Sequence, residues 1–384
     1  MSRKKILWID CAPFCGGAQE SFCAVIKGLL QKYPDDYEGR LWYSDCTAED
    51  WGSRLLHLPN LVVRYFPCHH WRRTFVGFCS YAVDYFRTFL KLRREIRTYR
   101  PDLIHVNSLR AYLLLPQGVL KHAVVVVHDR DWEKPAGVMQ KIAFDHRCRF
   151  YLFAVSRKMV LDWRARFSGV RCFFLPNPIE IPKDLQQLTV SPCDEIPCFA
   201  MIGDWVSWKN HLLFVRSIAA YQKKYGVCRA VIRARLRGNA TKKYRQKVLC
   251  KIAEKNLEKT IRVEEKTGDA WTTLKQMTML VNCAKKEAFG RTVVESLLCG
   301  KPVVSVEGSC GPEEILAGTS CGILCDALPE NIADAMYEMM QRLQQKPLRI
   351  EAQKIGLQYT PDKIAARMNQ YYQYMILGFN KEIK

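Results

Sequence analysis

The sequence predicts an α/β protein built as two doubly wound domains, and three observations carry that prediction. The chain is 384 residues long, beyond the size at which a single hydrophobic core keeps growing. Short β-branched runs alternate with stretches of helical periodicity, the pattern of βαβ units around a parallel sheet. The alternation stops at Pro176-Asn-Pro-Ile-Glu-Ile-Pro182, which cannot continue a helix, and then starts again.

Taken in order, Ile6–Ile9, Leu103–Val106, Val124–Val127, Tyr151–Val155 and Cys172–Leu175 are the strand candidates of the first half. After the first of them, Phe22, Val25, Ile26, Leu29 and Leu30 recur at helical spacing and form one apolar face. Val124-Val-Val-Val127 is apolar on both faces, which puts it in the middle of a sheet covered on both sides. The first domain is expected over residues 1–178 and a linker over 179–197. The second domain, 198–360, carries strand candidates at Phe199–Ile202, Ala230–Arg233, Ile261–Val263, Met279–Cys283, Val303–Val306 and Gly322–Cys325. Residues 361–384, rich in Tyr371, Tyr372, Tyr374 and Met375, read as a C-terminal helix able to pack back on the first domain. Two such domains on a short hinge imply a cleft, and open parallel sheets bind ligands outside the carboxyl ends of their strands.

Composition narrows the function. A hydrophobic content of 48% with 25% charged residues excludes disorder and fibrous repeats. The opening apolar run ends at Asp10, too short for a signal peptide. No stretch of about eighteen apolar residues occurs; the best candidate, Thr74 to Leu90, is interrupted by Asp84 and Arg87. Seventeen cysteines are diluted through the chain without a Cys-x-x-Cys pair, and Cys68-His69-His70 lacks a second half at metal-finger spacing. Reduced thiols in a cytoplasmic protein without a metal site are expected.

The formal net charge of +21 calls for an acidic partner: nucleic acid, anionic lipid and diphosphate ligands all qualify. No recognised nucleic-acid module appears, so nucleic acid is not the expected partner. The charge concentrates in Trp71–Arg100, which holds Arg72, Arg73, Arg87, Lys91, Arg93, Arg94, Arg97 and Arg100 among Phe75, Phe78, Tyr81, Tyr85, Phe86 and Phe89. Two readings fit. One is an interfacial helix resting on an anionic membrane at the cytoplasmic face; the other is a crossover helix with aromatics inward and arginines in water.

The residues most suggestive of chemistry lie in the second half. Met279–Cys283, the loop Ala284-Lys-Lys-Glu-Ala-Phe-Gly290 and the helical run Arg291–Leu298, closed by Gly300, make a strand, a loop and a helix. A helix that starts beside Gly290 offers backbone N–H groups and the positive end of its dipole to a diphosphate. Glu287 in the loop and Glu295 early in the helix are good acceptors for sugar hydroxyls. Their spacing alone favours a plainer description, one exposed loop glutamate and one ordinary helix glutamate.

The surroundings change that balance. Glu287-x-Phe289-Gly290-x-x-x-x-Glu295-x-x-x-x-Gly300-x-Pro302-Val-Val304, followed by Gly311-x-x-Glu314, resembles the signature of glycosyltransferase family 4 and its GT-B relatives. The resemblance implies the GT-B fold, two Rossmann-like domains with an interdomain cleft. It also implies retaining, metal-independent transfer from a nucleoside-diphosphate sugar to a glycan or lipid-linked acceptor, in surface polysaccharide, lipopolysaccharide or glycolipid assembly. The nucleotide sugar is then substrate, and no cofactor is expected. By the same resemblance Glu287 contacts the donor sugar, Glu295 binds the ribose hydroxyls, and Phe289, Gly290, Arg291 and Thr292 line the donor.

Three other segments extend the match. Cys15-Gly-Gly17-Ala-Gln19 resembles the family's acceptor-side glycine-rich loop, with Gly17 allowing close backbone approach to the ligands. His128-Asp129 follows a strand where the family's histidine meets the donor sugar near the reacting carbon. Pro101-Asp-Leu-Ile-His-Val106 and Leu175-Pro-Asn177 resemble scaffold landmarks. The implied catalytic set is His128, Lys209 and Glu287.

One match departs from the pattern. Gly203-Asp-Trp-Val-Ser-Trp-Lys209-Asn210 resembles the family's Gly-Arg-x-x-x-x-Lys, whose arginine and lysine neutralise the diphosphate. Lys209 is in register, but Asp204 stands in the arginine's place. Either another cation compensates, with Arg291 or Arg233-Ala-Arg235-Leu-Arg237 as candidates, or donor binding is weakened. The rivals to transfer are a nucleotide-sugar epimerase or phosphorylase-like GT-B enzyme and an inactive GT-B scaffold. Asp129-Arg-Asp131 spells the Asp-x-Asp of metal-dependent sugar transferases of a different fold, and no metal is assigned to it.

Overall fold

The computed structural model describes residues 2–12, 15–44, 51–66, 75–116, 123–131, 150–183, 196–265, 270–345 and 348–382. The chain divides into two compact units, Met1–Glu180 with Pro361–Lys384, and Ile181–Thr360.

The first unit is built on seven parallel strands. They are β1 (Lys4–Asp10), β2 (Tyr37–Tyr43), β3 (Leu61–Tyr65), β4 (Leu103–Val106), β5 (Val124–Asp129), β6 (Phe150–Ala154) and β7 (Arg171–Phe174). Their order across the sheet is β3-β2-β1-β4-β5-β6-β7. The direction of winding reverses between β1 and β4, which pair from Ile6 with Leu103 to Ile9 with Val106. Every residue of β4, β5 and β6 is buried, as continuous apolar strands under helices on both faces require.

β2 and β3 have no counterpart among the sequence candidates. Glu38, Gly39 and Arg40 interrupt the apolar pattern of β2, and the glycine has a tertiary cause. A Cβ at Gly39 would stand 1.9 Å from Trp8 Cζ3, so the tryptophan of β1 occupies the space a side chain would need.

Helix Gly17–Lys32 turns Phe22, Val25, Ile26, Leu29 and Leu30 into the core, the same face its spacing defines. Helix Pro361–Glu382 adds Ile364, Met368, Tyr372 and Met375 to that core. The two helices approach closely at Gly28, where a Cβ would lie 3.2 Å from the Pro361 carbonyl oxygen. Polar bonds anchor the last helix as well: Trp8 Nε1 donates to the Tyr372 hydroxyl at 3.2 Å, and that hydroxyl donates to His105 Nδ1 at 2.5 Å.

The second unit repeats the plan with six parallel strands, β8 (Cys198–Asp204), β9 (Arg229–Arg235), β10 (Ile261–Glu265), β11 (Met279–Asn282), β12 (Val303–Val306) and β13 (Gly322–Cys325). The order β10-β9-β8-β11-β12-β13 reverses between β8 and β11. The carboxyl edge at this reversal is the usual ligand position of such a sheet.

Candidate active site

Lys209 and Glu287 meet at that edge. Lys209 ends the turn Ser207–Lys209 that follows β8, Glu287 lies in the loop after β11, and the Lys209 Nζ pairs with Glu287 Oε2. The backbone holds both loops in place. Lys285 N donates to the Trp208 carbonyl at 2.9 Å, joining the two loops directly. Glu287 N donates to the Ser309 carbonyl and its own carbonyl accepts from Gly311 N, both at 2.9 Å, so a third loop, after β12, fixes the glutamate. The Lys209 stem lies over Gly203, where a Cβ would stand 3.4 Å from its Cδ and Cε. Both side chains are partly open to solvent, 15% for Lys209 and 21% for Glu287, so an incoming anion can compete with the glutamate for the lysine.

Helix Arg291–Leu298 starts at the same edge. Gly290 caps it with φ 92, and a Cβ there would sit 2.9 Å from Pro312 Cγ, so both backbone and packing demand glycine. Gly300 follows the helix with φ +70, the left-handed residue expected at C′. Glu295 is buried and paired with Arg291 at 3.4 Å, while Thr292 is half-buried beside it. Phe289 is buried edge-on against Tyr359, with ring centroids 5.4 Å apart. Phe289, Gly290, Arg291, Thr292 and Glu295 thus share the start of one helix, a loop's length from Glu287.

Asp204 has cationic neighbours. It accepts from Arg235 Nε at 3.2 Å and from Arg237 Nε at 2.6 Å. The other cations considered from the sequence are engaged elsewhere: Arg233 with Glu264 and the Thr273 hydroxyl, Arg291 with Glu295. Near Lys209 and Asp204 lies His211, fully buried and 4.7 Å from the Trp205 ring. Among the described residues neither of its ring nitrogens meets a partner. Burial, then the Lys209 charge, depress its pKa to about 3, with Asp204 opposing them. Nothing in the sequence pattern singles this histidine out.

The corresponding edge of the first unit is different. His128 is buried with both ring nitrogens engaged: Nε2 donates to the Leu175 carbonyl at 3.1 Å and Nδ1 accepts from Arg130 Nη2 at 3.1 Å. Burial first, then the Arg130 charge, hold its pKa well below the usual value, so it is a neutral imidazole. His128 is thus held within a buried hydrogen-bond network at the carboxyl end of β5. Arg130 is the centre of the cluster: Nε donates to Asn107 Oδ1 at 2.7 Å and Nη1 donates to Asn177 Oδ1. Asn107 Nδ2 in turn donates to Asp10, which also accepts from Gln19 Nε2 at 3.0 Å and Ala12 N at 2.7 Å. Gln19 Oε1 accepts from Gly16 N at 3.1 Å, so Gly17, the first residue of its helix, is set by the same network. Sequence reasoning missed Asp10 and Arg130. The available signal was polar residues at strand carboxyl ends beside the reversal of winding. Asp129 accepts from Trp163 Nε1 at 2.6 Å and from Asp131 N at 3.4 Å.

Of Trp71–Arg100, residues 71–74 lie outside the described residues, as does Cys68-His69-His70. The rest forms helix Phe75–Tyr99. From residue 83 onward Thr88, Leu92, Glu95, Ile96 and Tyr99 are buried, and Glu95 pairs with Arg40 at 2.6 Å. The opposite face exposes Val83, Phe86 and Leu90 among Arg87, Lys91 and Arg94. The helix is therefore a crossover helix on one face and a mixed apolar and cationic surface on the other. No helix among the described residues is long and apolar enough to cross a membrane.

Two parallel sheets wound in this manner are the GT-B fold seen in solved structures. Anabaena Alr3699/HepE in complex with UDP and glucose superposes with a TM-score of 0.74 at 17% identity, covering 97% of this chain and 100% of that one. A glycosyltransferase from Rickettsia africae gives 0.72 at 13% identity, with 98% and 99% covered. The lipopolysaccharide outer core galactosyltransferase WaaB gives 0.70 at 16%, with 95% and 98% covered. At such identities the likeness is one of fold, and the fold is GT-B. Residues 193–354 match the family described as glycosyl transferases group 1. A search of curated proteins finds no match.

Proposed function

We propose that the chain transfers a sugar from a nucleoside-diphosphate sugar, with retention at the anomeric carbon, to a hydroxyl of a glycan or lipid-linked acceptor in surface polysaccharide or glycolipid assembly. The observation that carries this reading is the meeting of Lys209 and Glu287 at the reversal point of the second sheet, beside the positive end of helix Arg291–Leu298. UDP, glucose and UDP-glucose in the Alr3699/HepE complexes support a nucleotide-sugar donor.

In this reading the bond between the anomeric carbon and the diphosphate oxygen breaks. The acceptor oxygen attacks from the same face, and its proton passes to the departing diphosphate. Lys209 and the helix start stabilise the diphosphate as its charge develops, the part a metal plays in other transferases, so no cofactor is needed. Glu287 orients the sugar and Glu295, held by Arg291, takes the ribose hydroxyls. The exposed Val83, Phe86 and Leu90 among arginines support attachment to an anionic cytoplasmic membrane surface.

A panel of nucleotide sugars, assayed for transfer and hydrolysis with the wild type and Glu287→Ala, tests the reading. The variant is expected to lose about 10³-fold or more in turnover while keeping its unfolding transition. Full activity in Glu287→Ala would sink the assignment, and an isomerised sugar in place of a transferred one would replace it with epimerisation.

A further inference from the structure

Ser309 and Cys310 lie between β12 and helix Gly311–Leu316, alongside the Glu287 loop. The Glu287 backbone bonds on both sides of Cys310, donating to the Ser309 carbonyl and accepting from Gly311 N, each at 2.9 Å, in a parallel bridge. Cys310 makes these two bonds in a conformation that a residue with a side chain rarely adopts, with φ 70 and ψ −92. It is close to the tight γ-turn, a strained form in which the carbonyl before the residue and the N–H after it point to one side. Both then face Glu287. Gly311 presses on the same loop two residues further on, where a Cβ would stand 2.2 Å from the Phe289 carbonyl oxygen.

Strain of this kind persists only where the surroundings over-determine it, and it gathers at functional sites. Here a row of buried polar side chains holds the turn. Asn282, the last residue of β11, is aligned with Ser305 of β12, and its Nδ2 donates to Ser305 Oγ at 2.9 Å. Ser305 Oγ shares a hydrogen bond with Ser309 Oγ at 3.3 Å. Ser309 is also the residue whose carbonyl holds the Glu287 peptide. The row therefore runs from the carboxyl ends of two strands to the backbone of the glutamate. All three side chains are buried, and both serines are fully so.

We propose that Ser309, held in turn by Ser305 and Asn282, is a positioning residue for Glu287. The row locks the strained Cys310 turn, and the turn sets where the Glu287 carboxylate stands against the sugar of the donor. The inference rests on the reading of Glu287 as the residue that orients that sugar. Because the serines are closed off from solvent, they act through Glu287 and touch no ligand themselves. Turnover is thus sensitive to the row, whereas the hold on the diphosphate, assigned to Lys209 and the start of helix Arg291–Leu298, is not.

A double-mutant cycle on the full chain tests the proposal. Release of nucleoside diphosphate is followed with a panel of UDP-, GDP-, ADP- and CDP-sugars, and the best of them is used throughout, with calorimetric titration of its nucleoside diphosphate. Ser309→Ala is expected to lower kcat about tenfold, the scale of one buried hydrogen bond, with nucleoside diphosphate affinity unchanged. Ser305→Ala, one bond further from the glutamate, should lower kcat about threefold. In a Glu287→Gln background, Ser309→Ala should cost nothing more. Unfolding curves identify a variant that fails to fold, and the other serine then carries the test. Unchanged kcat in both serine variants, equal losses with and without Glu287, or an affinity for the nucleoside diphosphate that falls in step with kcat each overturn the inference. Full turnover by Glu287→Gln, or a wild type that turns over none of the panel, overturns the reading on which it rests.

Discussion

The two sheets share the winding order and place polar side chains at the same point, the carboxyl edge where the direction of winding reverses, yet they use that point differently. In the first unit Asp10, Asn107, His128, Arg130 and Asn177 are all buried and bonded to one another. Burial raises the Asp10 pKa despite three hydrogen bonds that lower it, and depresses those of His105 and His128. In the second unit Lys209, Glu287, Asp204, Arg235 and Arg237 keep between 15% and 31% of their side-chain surface in water. Position in the topology marks where a ligand can bind. The charges of the first cluster are closed in, and those of the second are left partly open to solvent.

The sharpest way to break this contrast is to remove one arginine from each cluster and follow stability. Arg130→Met strands Asp10, Asn107, Asn177 and His128 in the interior and is expected to cost about 3–5 kcal/mol in urea unfolding. Arg237→Gln, in a cluster open to water, is expected to cost less than about 1 kcal/mol. Equal losses from the two would erase the distinction.

A smaller effect concerns His211. The unfolded imidazole titrates near 6.5 and the folded one at about 3, so its stabilising contribution is complete above pH 6.5 and is lost as the pH falls towards 3. Between pH 7 and pH 5 this amounts to about 2 kcal/mol. His211→Phe should leave neutral stability nearly unchanged and remove that share of the acid loss. His105 and His128 keep theirs in the first unit, since their pKa values also lie below the usual one. An unaltered pH profile in His211→Phe would show that the ring is not held neutral by its burial.

The smallest expected effect is at the surface of helix Phe75–Tyr99. Arg87→Gln should lower partitioning onto phosphatidylglycerol vesicles about fivefold, on the scale of about 1 kcal/mol for one cation near an anionic surface. Equal binding of the wild type to neutral and anionic vesicles would remove the electrostatic part of the membrane reading.

Much of this architecture was legible in the sequence. Leu103–Val106, Val303–Val306 and Gly322–Cys325 keep the bounds read from the sequence, because parallel strands between helices are marked by short, largely apolar runs. β2 was not legible, since Gly39 makes sense only once Trp8 is seen above it. In the candidate site, the Glu287 loop, the Gly290 turn and the helix could be read as one motif, for all three are local. That Lys209 lies opposite Glu287 depends on the strand order, and that Arg235 and Arg237 flank Asp204 depends on the register of β8 with β9. His128 was read as following a strand and instead lies inside β5, and its partners Arg130 and Leu175 depend on tertiary packing that spacing does not reveal.

Helix Pro361–Glu382 has a consequence for how the protein is made. Its Met368, Tyr372 and Met375 fill the core of the first unit, but a ribosome reaches them only after finishing residues 181–360. At ordinary synthesis rates the first seven strands wait roughly ten seconds or more for the helix that closes their core, while the second unit already has all its parts. A message truncated just before Pro361 would therefore leave the later-made unit intact and the earlier-made one with an open flank.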